Sequence, residues 1–226
     1  MADERKPGFS PRRAAATALI ALLAAPGCFT YSSYQSARIV ERGDHQATLS
    51  VSRSSIVSEE TDDSSWLAFE GLARFGIAKR LDGSIMISVF RGVPEDWGAG
   101  VVTADVRAGI IEDYLACSLP VSFTVGDLYL ASLRVQPGII GTIPLGTRLE
   151  ITGAIRAHMF VRAPDLFAVG YNVGLGMTSV SGRWTIRPEA GWMQFLDEES
   201  DVTYAQFGIG LETNHRKPRV TKEQGQ

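Results

Sequence analysis

Lysine and long apolar segments are scarce in this sequence. Its 226 residues include only four lysines, and after residue 13 these are Lys79, Lys217 and Lys222. No run of 18 or more apolar residues occurs, which excludes a spanning helix apart from a short N-terminal stretch. A basic surplus is also missing, because the net charge is −3, and this argues against a nucleic-acid-binding protein. What remains is one folded unit with 45% hydrophobic residues, a size at which all-β barrels are commonly single domains.

The first 27 residues have the layout of a targeting segment. The basic pair Arg12-Arg13 precedes the apolar run Ala14–Ala25, which has the length of a signal-peptide core and is too short to cross a bilayer. The following Leu23–Cys28 (LAAPGC) resembles the lipobox of bacterial lipoproteins, with Gly27 in the position of the small residue and Pro26 as a departure. This resemblance implies cleavage before Cys28 by the lipoprotein-processing machinery and a diacylglyceryl thioether on that cysteine.

Two alternatives for Cys28 stay open at this point. An ordinary signal peptide with an Ala-x-Ala-like site nearby would leave the cysteine unmodified. A disulfide with Cys117 is the other option, since these are the only two cysteines in the chain. The strand pattern described next points Cys117 away from the barrel interior, which disfavours this pairing.

The chain from about residue 46 onward alternates apolar and polar residues in about ten segments separated by turn signals. Each segment has about 10–15 residues, whereas soluble strands usually have 5 or 6 and tilted membrane-spanning strands need at least about 9–11. We predict strands at 46–57, 66–78, 81–91, 99–111, 115–125, 128–142, 147–161, 166–179, 184–195 and 202–212. Residues 28–45 are then a lipid-anchored tether and residues 213–226 a polar tail.

Alternation alone does not decide which side of a barrel is inside. A soluble lipocalin-like barrel buries its apolar face, and a membrane barrel exposes it to lipid. Three features favour the membrane barrel: no strand interior carries lysine, the polar face is rich in Gly, Ser and Thr, and aromatic residues gather near strand ends. Tight hairpins also alternate with longer acidic connections, as periplasmic turns alternate with extracellular loops. The predicted fold is therefore an all-β, antiparallel, up-and-down transmembrane β-barrel over residues 46–212.

The stretch Gly71–Phe90 (GLARFGIAKRLDGSIMISVF) resembles the recurrent hairpin of bacterial outer-membrane β-barrel proteins. Together with the lipobox, this resemblance implies a lipid-anchored member of that broad group, located in the outer membrane and tethered from the periplasmic side through Cys28. It also implies contact with outer-membrane lipid and with the barrel-assembly machinery, and no particular activity. The polar tail departs from the aromatic C-terminus with which many such barrels end.

Charged residues on the polar face of the predicted strands are the main candidates for a functional site in this sequence. If their role is only structural, these charges form salt bridges that fill a narrow barrel, because unpaired buried charges are costly. The functional interpretation is an arginine-rich constriction that favours anions. The predicted lumen charge network consists of Glu70, Arg74, Asp105, Arg107, Arg134, Arg148, Glu150, Arg156, His158, Arg187 and Glu189.

His158 is the one histidine within a predicted strand, and it raises the question of catalysis. A hydrolase would need a nucleophile and an orienting acid beside it; Glu150 shares its face, but no nucleophile motif surrounds any serine. His45 and His215 lack metal-ligand spacing, and no cofactor motif is present. We therefore expect a non-enzymatic outer-membrane barrel with a structural or weak channel role. The alternatives are an outer-membrane enzyme acting on lipid or peptide, and a lipid-anchored periplasmic barrel that binds lipid.

Overall fold

A computed structural model of the chain describes residues 34–57, 65–93, 98–126, 133–161, 163–196 and 203–215. Nearly all of them form antiparallel strands, and no helix in these ranges is long and apolar enough to span a membrane. The strands are β1 (His45–Val57), β2 (Ser65–Ala78), β3 (Leu81–Val93), β4 (Gly98–Ile111), β5 (Leu115–Ser118), β6 (Val121–Gly126), β7 (Leu133–Val135), β8 (Gly138–Pro144), β9 (Leu149–Phe160), β10 (Ala163–Thr178), β11 (Trp184–Phe195) and β12 (Thr203–His215).

These twelve strands close into a barrel of ten. Strands β5 and β6 both pair with β4, and β7 and β8 both pair with β9, so each of these couples is one barrel strand with an interruption. The interruptions fall at Pro120 and Pro137, since proline has no N–H to donate to the ladder. The barrel closes where β1 pairs with β12 from His45↔His215 to Val57↔Thr203. The predicted ten-strand antiparallel barrel is confirmed.

The side-chain alternation has the predicted orientation, with apolar residues outside and polar residues inside. In β9, Ile155 points outward and is 59% exposed, while its neighbour Arg156 points inward and is 6% exposed. The same pattern holds around the barrel, because inward positions are sheltered by the opposite wall whereas outward positions have no protein neighbour. A surface with Leu49 at 69% and Phe207 at 66% exposure would be unfavourable in water.

The two ends of the barrel differ in their connections. At one end, which we call the turn end, the strands are joined by residues 79–80, 112–114, 145–148 and 179–183. At the other, the loop end, the connections span 58–64, 94–97, 127–132, 161–162 and 196–202. The predicted strands 115–125 and 128–142 leave a short hairpin at Gly126-Asp127; residues 127–132 lie outside the described part of the chain.

Residues 34–43, which we call the inner segment, run into the barrel from the turn end. At the turn end, Arg42 forms a parallel bridge with Gly76. Followed from there toward the N-terminus, the chain runs deeper into the barrel, and Tyr34 lies beside Gly208 and Gly210. Tyr34, Gln35, Ser36 and Ala37 are all buried. The sequence predicts a tether over residues 28–45, whereas residues 34–37 pack inside the barrel.

Candidate functional site: the barrel interior

Asp82 is the centre of the turn-end half of the interior. Its carboxylate accepts hydrogen bonds from Arg74 Nη2 at 2.7 Å and from Arg107 Nε and Nη2 at 2.9 and 2.7 Å. It also accepts the backbone N–H of Val40 in the inner segment at 2.8 Å. All three charged side chains are essentially fully buried, so the carboxylate compensates two guanidinium groups that would otherwise be very costly.

The two arginines also hold the backbone of the inner segment directly. Arg107 Nη1 donates to the carbonyl of Ser36 at 2.9 Å. The carbonyl of Arg38 accepts from Arg74 Nη2 at 2.8 Å and from Arg107 Nη2 at 3.1 Å. The barrel wall therefore supplies the partners that backbone groups in a buried extended segment require.

Two further clusters fix the same segment to the opposite wall. Tyr34 N–H donates to Glu189 Oε2 at 2.8 Å, and Ala37 N–H donates to Thr142 Oγ1 at 2.7 Å. Glu189 also accepts from the side-chain amide of Asn172. These contacts come from β8, β10 and β11, on the side of the barrel away from Asp82 on β3. The inner segment is consequently bonded to both sides of the lumen.

Glu150 and Arg187 form an ion pair near the turn end. Their side chains approach to 2.7 Å, and Arg187 also lies 3.8 Å from Glu212. Arg38 of the inner segment completes the cluster with a 3.1 Å contact to Glu150. The side chain of Arg38 is 46% exposed, so this positive charge stays partly in contact with solvent.

Small residues on the inward face make room for the inner segment. A Cβ atom added at Gly210 would lie 2.9 Å from Cβ of Tyr34, and one at Gly208 or Gly76 would overlap Tyr34 or the backbone of Glu41. These three glycines occupy inward strand positions where other strands carry larger polar side chains. Their placement matches the path of the segment and explains why glycine recurs there.

The loop-end half of the interior is closed mainly by an apolar cluster, beside which Arg134 is buried opposite Phe160. Trp66 packs edge-on against Tyr204 with ring centroids 5.7 Å apart, and Phe195 lies between Tyr204 at 5.9 Å and Phe160 at 6.2 Å. These residues stand at or near the loop-end termini of β2, β12, β11 and β9. The cluster also includes Ala68, Phe90, Ala99, Val101, Leu166, Ala168 and Met193.

His158 lies at the level of the loop-end cluster, opposite Ala168 of β10, and is completely buried. Its Nδ1 is 3.3 Å from the side-chain amide of Gln136, which also adjoins the guanidinium of Arg134. Glu150, the acid predicted to share its face, is eight residues away along β9, or about 26 Å at about 3.3 Å per residue. It is bonded to Arg187 instead, so the structure does not bring Glu150 and His158 together.

Most residues of the predicted lumen network face the interior, and one does not. Arg148 is exposed in the turn between β8 and β9, because β9 begins at Leu149 and not at residue 147 as predicted. Cys28, the predicted lipid anchor, lies outside the described residues. The predicted residues that are buried in the interior are Glu70, Arg74, Asp105, Arg107, Arg134, Glu150, Arg156, His158, Arg187 and Glu189.

The predicted excess of arginine over acid in the lumen is wrong for the described residues. Asp82 and Glu212, which the sequence analysis missed, are buried there, and Arg148 is not. Among the described wall residues, five arginines (74, 107, 134, 156, 187) face six acids (70, 82, 105, 150, 189, 212). Extending the period-two pattern of β3 and β12 to Asp82 and Glu212 would have found both. An anion-selective constriction is therefore not supported by the charge balance.

No protein-family model and no curated protein sequence matches the chain. Solved structures with a similar fold include outer-membrane β-barrels. The translocator domain of the autotransporter NalP from Neisseria meningitidis is 6% identical, with 90% of this chain and 97% of that chain covered and a TM-score of 0.49. Neisserial surface protein A is 8% identical (76% and 97% covered, TM-score 0.38), and the outer-membrane protease OmpT from Escherichia coli is 9% identical (76% and 97% covered, TM-score 0.43).

Proposed function

We propose that this chain is a non-enzymatic bacterial outer-membrane β-barrel that acts as a closed, membrane-embedded structural protein and not as a diffusion channel. The observation that carries the proposal is the filling of its interior from both ends. The inner segment is bonded to both walls at the turn end, and the Trp66–Tyr204 cluster packs across the loop end. In a small barrel of this kind, side chains fill the space that would otherwise hold water.

The apolar exterior supports insertion in a membrane over the periplasmic soluble alternative. A soluble barrel would bury Leu49, Ile155 and Phe207, whereas each of these is more than half exposed here. The connections at the loop end are longer on average than those at the turn end. Since outer-membrane barrels have short periplasmic turns and long extracellular loops, we place the turn end in the periplasm.

The burial of His158 argues against the enzymatic alternatives. This side chain has no exposed surface, and the acid expected to orient it is committed to Arg187 and Arg38. A general base must come within hydrogen-bond reach of a substrate proton, which needs access that this position lacks.

The channel question is tested by conductance measurements on the purified, refolded protein in planar bilayers. We expect heat-modifiable migration on gels, which reports a folded barrel, together with no steady conductance above that of protein-free bilayers. A reproducible conductance from the wild-type protein, with or without anion preference, would refute the closed barrel.

We further propose that Cys28 carries the lipid anchor, as the lipobox resemblance suggests. Metabolic labelling with an alkyne-bearing palmitate should tag the wild-type protein and the Cys117→Ala variant, which serves as a matched control. The Cys28→Ala variant should lose the label and still show heat-modifiable migration. Equal labelling of the Cys28→Ala and wild-type proteins would refute the anchor without affecting the barrel.

A further inference from the structure

The inner segment is held in the lumen in the manner of a bound peptide. Residues 34–41 belong to no strand of the sheet. Their backbone is bonded to side chains of the wall: the N–H groups of Tyr34, Ala37 and Val40 donate to Glu189, Thr142 and Asp82, and the carbonyls of Ser36 and Arg38 accept from Arg107 and Arg74. Because backbone N–H and carbonyl groups recur along any chain, contacts of this kind hold an extended peptide with little regard to its side chains.

One exposed turn joins the inner segment to the wall. The N–H of Asp44 donates to the carbonyl of Glu41 at 2.9 Å, and Gly43 has a φ of +86°, so the chain reverses there and continues into β1. Residues 41–43 are exposed, and the side chain of Arg38 is 46% exposed. The turn end is therefore the entrance through which solvent reaches the segment.

The wall has an apolar pocket for two side chains of the segment. Ala37 is completely buried against Ala116, Ile140 and Ala154, and Ile39 packs against the same cluster. The three wall residues are register partners on β5, β8 and β9, so they form one row at a single depth of the lumen. Since no part of Ala37 is accessible, the pocket admits only a small side chain at this position.

Two further positions of the segment are matched to the wall. Tyr34 fills the space left by Gly208 and Gly210, and a Cβ atom added at Gly210 would lie 2.9 Å from Cβ of Tyr34. Arg38 pairs with Glu150 at 3.1 Å. Backbone contacts provide affinity in peptide recognition, and side-chain pockets provide specificity. The lumen is thus shaped for an aromatic residue followed, after two others, by a small, a basic and an aliphatic residue in succession.

We propose that the turn-end half of the lumen is a binding site for an extended peptide of this pattern, and that the inner segment occupies it as an intramolecular ligand. The site goes beyond the proposed structural role, which holds whether or not the segment exchanges, because the lumen is filled in either case. A short linker gives a tethered ligand an effective concentration of about millimolar. The chain's own segment therefore excludes other peptides while the turn is intact, and cutting the turn removes that advantage.

The experiment uses the full-length protein with the recognition sequence of a site-specific protease inserted between Gly43 and Asp44. The protein is folded in detergent, checked by heat-modifiable migration and then cut. The probe is a synthetic peptide of residues 34–43 (YQSARIVERG) with a fluorophore at its C-terminal end, which corresponds to the exposed turn. We expect the cut protein to bind the probe and release its N-terminal fragment, as followed by fluorescence anisotropy and mass spectrometry. The uncut protein should bind the probe at least about tenfold more weakly.

Changed peptides test which contacts the lumen recognises. N-methylation of Ala37 removes the N–H that donates to Thr142 and should weaken binding to the cut protein at least about tenfold. The peptide with Ala37→Trp should lose at least as much, because the pocket has no room for the larger side chain. The matched controls are N-methylation of Gly43 and Arg42→Ala, both at exposed positions, and they should change binding by no more than about twofold.

The same cut barrel is used with every peptide, so no comparison depends on the folding of a protein variant. Equal binding of the unmodified and Ala37→Trp peptides would overturn the proposal, since the lumen would then not recognise the side chain at this position. A cut barrel that keeps its N-terminal fragment and binds no probe would also overturn it, because the segment would then be a permanent part of the wall. Equal binding by cut and uncut protein would do the same, because the probe would then lie outside the lumen.

Discussion

Replacing Asp82 with asparagine should detach the inner segment from the barrel wall. The substitution keeps the shape of the side chain and removes the negative charge that Arg74 and Arg107 share at 2.7 Å. Both guanidinium groups are at most 1% exposed, so neither can turn to solvent without moving the strands or the inner segment. Loss of one partner from a buried ion pair costs about 3–5 kcal/mol, and here one carboxylate serves two arginines. We therefore expect a loss of about 4 kcal/mol in the free energy of unfolding.

The measurement is urea-induced unfolding of the refolded protein in lipid vesicles, followed by tryptophan fluorescence. Glu112→Gln is the matched control, because it removes one acidic charge from an exposed position in the turn between β4 and β5 and should change the free energy of unfolding by less than about 0.5 kcal/mol. A second readout follows the inner segment itself. In a background lacking Cys28 and Cys117, Ser36→Cys should react slowly with a water-soluble maleimide and at least tenfold faster once Asp82→Asn is added.

Two results would refute this reasoning about Asp82. The first is a change of less than about 1 kcal/mol on Asp82→Asn, which would mean that the two arginines find other partners at no cost. The second is equal maleimide reactivity of Ser36→Cys with and without Asp82→Asn, which would mean that the ion-pair cluster does not hold the inner segment.

Three other perturbations test the remaining parts of the structure. Gly210→Val should lower the free energy of unfolding by about 1–3 kcal/mol, because the new side chain overlaps Tyr34. Adding Tyr34→Ala should relieve much of this loss. Additive effects of the two substitutions in a double-mutant cycle would contradict the close approach of residues 34 and 210. Phe195→Ala should cost about 3–5 kcal/mol in urea unfolding by opening the loop-end cluster, and a loss below about 1 kcal/mol would show that the cluster is not packed. Leu49→Arg should cost about 2–4 kcal/mol and lower the heat-modifiable fraction, whereas Leu49→Phe should do neither; an unaffected Leu49→Arg protein would contradict lipid contact at this position.

The strands and their faces could be predicted because a barrel wall repeats one simple rule. In β9, residues two apart share a face, so the order of apolar and polar side chains reveals which positions are outside before any partner strand is known. The same rule correctly predicted that Arg74, Arg107 and Arg187 are inside. Arg148 is the exception, because the alternation starts β9 two residues too early, and strand ends depend on turn geometry that alternation does not encode.

The partners of these residues could not be predicted in the same way. Asp82 joins Arg74 and Arg107 because β2, β3 and β4 are adjacent in a particular register, and periodicity says nothing about register between strands. The path of the inner segment cannot be predicted for a related reason. Residues 34–43 have no strand periodicity, and only the cavity left by inward glycines on distant strands shows where they fit.

The amino-acid sequence by itself determined that the chain forms long antiparallel strands with an apolar outer face and a polar inner face. That is a local property, since each side chain's direction follows from its position along its own strand. Only the tertiary structure decided what the interior contains and how it is closed. Closure of β1 on β12 sets the width of the lumen, and that width brings the inner segment, Asp82 and the loop-end aromatic residues within contact distance of walls that are far apart in the chain.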